Sequence, residues 1–278
     1  VRLSADIMQV FLDDSVEGER FRHHDYPLNQ MFGIQSEMPN FMMTIHPVVS
    51  KKEARNYVIR LGLFGRKFDQ VLEGLHIRES KGCLPPHFVI LRVLDEMKNF
   101  ISTPPRENPL YTVFAEKLSG LEKLSQADKT QLLNDAAAQI DTVVYPAYHK
   151  LIDYFNILEQ KTAADAGVWN LPDGDAYYAN RLRTNTTTDY TPEQVHQIGL
   201  QEVDRLEGKM RSIFIELGYG MIENPTRKLN ELGKDEQFLY QNTDDGRRAA
   251  LVEYQRILDE VDSKLDPIFN LRPKTGIK

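Results

Sequence analysis

Sulfur chemistry is almost absent from this chain. Its 278 residues hold one cysteine, Cys83, which excludes an internal disulfide framework and any multi-cysteine metal centre. Positive charge is in deficit: 34 Lys and Arg face 41 Asp and Glu, for a formal charge of −7. With no basic patch to meet a phosphate backbone, nucleic acid is not an expected partner. No apolar run approaches the ~18 residues of a membrane-spanning helix. The sequence begins at Val1 without a basic-then-apolar leader, which leaves a processed export signal and an internal fragment as the two readings.

Recognisable catalytic motifs are also missing. A zinc hydrolase of the H-E-x-x-H type sets two imidazoles one helical turn apart and puts a glutamate beside the metal-bound water. None of the seven histidines (His23, His24, His46, His76, His87, His149 and His196) is followed directly by Glu, and no pair has that spacing. There is no G-x-S-x-G elbow, P-loop or dinucleotide glycine fingerprint. No catalytic or metal-ligating residue is therefore assigned. The acidic pairs Asp13-Asp14 and Asp244-Asp245 read as solvated helix ends. His23-His24-Asp25 reads as the solvent-facing end of a helix, because adjacent histidines point in different directions.

What is present is helical periodicity. The content of 41% hydrophobic and 27% charged residues is that of a globular protein. Apolar residues recur at steps of three and four along Ser4 to Arg22 (Ile7, Met8, Val10, Phe11) and from Ala54 to Leu75, behind a Ser50–Glu53 capping box. Gly62 and Gly65 are candidate breaks in that second helix. Residues 26–49, with Pro27, Gly33, Pro39 and Pro47, read as loop with at most one short helix. Further helices follow over Phe88 to Ile101 and Leu110 to Leu118. A long one opens at Ser125 and runs towards Lys161, kinked where Pro146 removes the bond to the Thr142 carbonyl. Near the end, Asp244 to Asp266 has inward positions at Leu251, Tyr254, Leu258, Val261 and Leu265. Leu271 to Lys278 reads as the start of an extended segment. The expected fold is all-α, packed long helices with little or no strand, forming a single helical domain over 1–278 or a fragment of a larger one.

The richest stretch runs from Trp169 to Met210. Leu171-Pro172-Asp173-Gly174 is a turn in which Gly is suited to a left-handed conformation. A short helix from Asp175 to Thr184 carries Tyr177, Tyr178 and Arg183, and the run Asn185-Thr186-Thr187-Thr188 should end it. Thr191-Pro192-Glu193-Gln194 is a helix start with N-cap, N1 proline and capping glutamine. Beyond it Val195, Ile198, Val203, Leu206, Met210, Ile213, Phe214 and Leu217 form one stripe expected to be buried, closed by Gly218. Tyr177, Arg183, Thr187 and His196 are the candidate substrate contacts of this stretch. Their plainer readings are packing tyrosine, surface charge, structured loop and helix-flank histidine.

The segment GVWNLPDGDAYYANRLRTNTTTDYTPEQVHQIGLQEVDRLEGKM resembles the central region of the bacterial DUF885 family. Tyr26-Pro27-Leu28-Asn29-Gln30, His46-Pro47, Phe68-Asp69-Gln70 and Gly82-Cys83-Leu84-Pro85-Pro86 fit it as well. That resemblance implies kinship with gluzincin-type zinc metallopeptidases, akin to the angiotensin-converting-enzyme and carboxypeptidase Taq groups. It also implies a helical half that walls a peptide-binding cleft, zinc as cofactor of the full-length family, and an exported, periplasmic or lipid-anchored location. In the family the zinc motif lies downstream of the matched region, so this chain alone is expected to be inactive. If a larger domain is cut here, an apolar face is left exposed and open to homodimer formation. The competing reading is a non-catalytic helical scaffold that binds a protein partner.

Overall fold

The structure is a computed structural model that describes residues 2–162, 166–265 and 267–269. Among these residues there is no strand, and the chain divides into two compact units, residues 1–191 and 192–278. The expected all-α fold of long packed helices is what is observed. The segment from Leu271 to Lys278, read above as extended, lies outside the described residues.

The first unit opens with α1 (Arg2–Gly18) and a 3-10 turn (Glu19–Phe21). Next come α2 (Ile34–Asn40) and a π turn (Phe41–Ile45), the only helical pieces among residues 26–49. Ser50 starts α3 (Lys51–Leu61): its Oγ accepts from the Glu53 N–H at 3.3 Å. The Glu53 carboxylate reaches back one residue further than a standard capping box, accepting from the Val49 N–H at 2.9 Å. The chain breaks at Gly62 and Leu63 and resumes as α4 (Phe64–Ser80). Then follow α5 (His87–Phe100), α6 (Pro109–Ser119) and α7 (Gln126–Gln139).

Pro146 shapes the next join. The ladder widens into a π turn over Ile140–Val144, and α8 runs from Tyr145 to Glu159. Pro146 thereby falls in the first turn of a new helix, where a missing N–H goes unused. Helix α8 is the centre of the unit, packed on α5 and α4, while α3 packs on α7. Tyr57, Phe64, Phe68, Phe114, Tyr148 and Phe155 are fully buried there. The rings of Tyr57 and Phe114 stack with centroids 4.3 Å apart, and the Tyr57 hydroxyl donates to the Leu110 carbonyl at 2.8 Å. Burying aromatic bodies while pairing their hydroxyls is what a close-packed interior requires. The unit ends with α9 (Gly174–Thr186).

The second unit holds α10 (Pro192–Glu216), α11 (Pro225–Leu232) and α12 (Asp244–Ser263). Gly218, at φ +83°, follows α10 as the terminator that the sequence suggests. The burial expected of these helices is not found. Of the α10 stripe only Phe214 is buried, while Ile198, Val203, Leu206, Ile213 and Leu217 are exposed. Leu251, Tyr254, Leu258 and Val261 of α12 are exposed too, Leu258 at 61%. Periodicity located these apolar residues on one side of each helix, but within this unit only α11 packs closely on α10, and most of both stripes stays exposed. No described helix is long and apolar enough to cross a membrane.

Candidate functional site

The central stretch folds into a turn, a helix and a strained stop. Positive φ falls on Asp173 (+50°) rather than on Gly174, the reverse of the simplest reading of the turn. Gly174 is needed for space: a Cβ there would lie 2.1 Å from the Val168 carbonyl oxygen. At the other end of α9 the Thr187 N–H closes on the Arg183 carbonyl at 2.8 Å, with φ at +54°. A β-branched residue in the left-handed region is strained. Neighbouring threonines bind their own chain: Thr184 Oγ1 donates to the Asn180 carbonyl at 3.0 Å and Thr186 Oγ1 to that of Leu182 at 2.9 Å.

One edge of α9 meets the corner after α1. Correcting the solvent-facing reading of His23-His24-Asp25, His24 is buried. Buried Phe21 pulls the turn inward, setting its ring edge-on to His24 at 5.2 Å, and Tyr177 covers His24 at 4.9 Å. A carbonyl oxygen only accepts, so His24 Nε2–H donates to Pro172 O at 2.7 Å. That tautomer leaves Nδ1 as acceptor for the Cys83 thiol at 3.9 Å. Burial pushes the Cys83 thiol pKa up and raises the Tyr177 phenol as well. A neutral, enclosed thiol is a packing group and not a nucleophile.

The other edge of α9 lies beside α1. Arg183 pairs with Glu17, and Gly18 comes against the amide of Asn180, whose Oδ1 is 3.9 Å from a Cβ built at Gly18. Asn180 is buried at 4% exposure, and among the described residues neither polar atom of its amide has a hydrogen-bond partner. Between the two helices runs an open groove of about 810 Å³. On the α1 side its wall is two adjacent i, i+4 rows, Asp6-Val10-Asp14 and Ile7-Phe11-Ser15. Arg181, Thr184 and Thr187 line it on the α9 side. A smaller hollow of about 250 Å³ continues it past Asp13, Glu17, Arg183 and Asp189. The size suits a small ligand or a few residues of peptide.

The structure thus brings Arg183 and Thr187 together on this groove. Tyr177 sits on the same helix but faces the His24 corner, half-buried. His196 is exposed on α10 in the second unit. Sequence reasoning passed over Asp6, Asp14, Phe11 and Arg181. The available signal was the i, i+4 alternation of acidic and apolar residues on α1, which looked like an ordinary amphipathic face and a solvated end. As for zinc, no three His, Cys, Asp or Glu side chains among the described residues converge as a metal-ligand set. These residues do not fit the metal that the resemblance implies.

A solved structure titled "the putative lipoprotein from Colwellia psychrerythraea" is similar, with a TM-score of 0.85 and 28% sequence identity. The likeness covers 90% of this chain but 43% of that one, so this chain spans less than half the length of that relative. No curated protein matches. The family described as "Bacterial protein of unknown function (DUF885)" matches residues 1–278, and the chain belongs to it.

Proposed function

We propose that this chain is the helical part of a metallopeptidase-like DUF885 protein and walls its peptide-binding cleft. The observation that carries the reading is the open groove of about 810 Å³ between α1 and α9, lined from the stretch that bears the family resemblance. Two properties support it. Its apolar floor and scattered charges are those of a site that takes an apolar side chain and orients it by a few polar contacts. It is also built on helices rather than on loops, and α9 is anchored through the His24 corner to a close-packed body. The chain spans 43% of the length of the similar structure, so this reading assigns it the wall of the cleft and not the hydrolytic groups.

The test has two parts. A labelled apolar peptide titrated into this chain gives saturable anisotropy, weakened by Phe11→Ala, with no turnover. A full-length DUF885 chain cleaves the same peptide, and a chelator stops it. A full-length chain that binds no peptide and cleaves none would move the reading to a non-catalytic scaffold.

A further inference from the structure

We infer that the α1–α9 groove selects peptide segments that carry Lys or Arg on either side of a large apolar residue. This deepens the peptide-cleft reading and rests on it. The argument is charge placement. The main groove is lined by Asp6, Asp14 and Glu19 against Arg181 alone, and its continuation by Asp13, Asp14, Glu17 and Asp189 against Arg183 alone. Several of these charges are already engaged: Glu17 by Arg183, Glu19 by Arg22 at 2.7 Å, and Asp13 by the Gln9 amide at 2.8 Å. Asp6 and Asp14 have no ion pair among the described residues, so their charge faces whatever enters.

Geometry sharpens the choice of occupant. Asp6 and Asp14 are eight residues apart on α1, about 12 Å along the axis. An extended peptide covers that distance in three to four residues, at roughly 3.3 Å each. Two cationic side chains spaced i and i+4 would reach the two carboxylates. The residue midway between them would lie over Val10 and Phe11, both exposed and lining the groove. Arg181, on the opposite wall, has no carboxylate partner among the described residues and is placed to donate to a peptide carbonyl. An acidic peptide would meet the α1 carboxylates with like charge, and an anionic lipid surface would be repelled in the same way.

The probes are two blocked pentapeptides with leucine in the middle and alanine beside it, one with lysine at both ends and one with glutamate. Titration calorimetry or anisotropy against the whole chain should show the lysine peptide binding at least tenfold tighter at low salt. That gap should narrow towards 0.5 M salt, where the screening length shrinks to a few ångström. Asp6→Asn and Asp14→Asn should each weaken the lysine peptide about threefold, the range of an exposed ion pair, and the pair about tenfold. Neither carboxylate has an ion pair among the described residues, so circular dichroism should show unchanged folding. Equal binding of the two peptides, or no change in the double variant, overturns the charge selection and leaves the peptide cleft standing. No binding of either probe or of a neutral peptide removes both.

Discussion

In α8 the apolar side chains at helical spacing disappear from solvent: Leu151 and Phe155 are fully buried. In α12 the same spacing produces Leu251, Tyr254, Leu258 and Val261, all of them half or more exposed. Helix α8 has α4 and α5 against it, whereas no described element packs closely on α12. What keeps α12 helical is local. Thr243 caps it, its side chain accepting from the Gly246 N–H at 3.1 Å. Arg256 pairs with Glu253 and Glu260, and Lys264 with Glu260. Such exposed pairs, screened by solvent, contribute far less than a buried side chain. An amphipathic pattern names the face that wants covering; it does not say what covers it.

The widest contrast should come from truncating one residue in each region. Phe155→Ala should cost about 3–5 kcal/mol in denaturant unfolding, the range for a buried aromatic. Leu258→Ala should cost under about 0.5 kcal/mol, as exposed substitutions do. Comparable losses would mean that the α12 face is covered in solution. We propose a second copy of the chain as one such cover. Sedimentation should then show mass rising with concentration and Leu258→Glu returning the monomer; a monomer at every concentration contradicts it.

Smaller effects test how completely the first unit satisfies its polar groups. Asn180 holds a buried amide with no partner on either atom, a desolvation loss of about 1–3 kcal/mol. Asn180→Leu, of similar size, should raise stability by about 1 kcal/mol; a drop in melting temperature would show that the amide is paired in solution. His46 is also buried. Burial, reinforced by the nearby Arg60 charge, lowers its pKa below 6.5. The unfolded chain therefore takes up the proton first. The contribution of neutral His46 is fully present above about pH 6.5 and is lost as pH falls below it. His46→Phe should flatten the stability curve from pH 6.5 to 5, and an unchanged slope would exclude His46 as its source.

Much of the fold was legible because helix signals are local. The Ser50 cap, the break at Gly62, a stop within the Asn185–Thr188 run (observed two residues later than read, after Thr186) and the Pro146 join depend on residues a few positions apart. The buried His24 was not legible, since its partners Pro172 and Cys83 come from distant parts of the chain. For the same reason Arg183 and Thr187 could be picked from one helix, while the carboxylates across from them on α1 could not. Their relevance depends on two segments more than 160 residues apart lying side by side.

The central claim is that the α1–α9 groove receives peptide. Amide hydrogen exchange with and without the lysine-ended pentapeptide tests it most directly. Protection confined to residues 6–19, in α1 and at the start of the turn after it, and to 181–188 around the end of α9 is the predicted result. Protection appearing on α10 to α12 instead, or nowhere at saturating peptide, would contradict it.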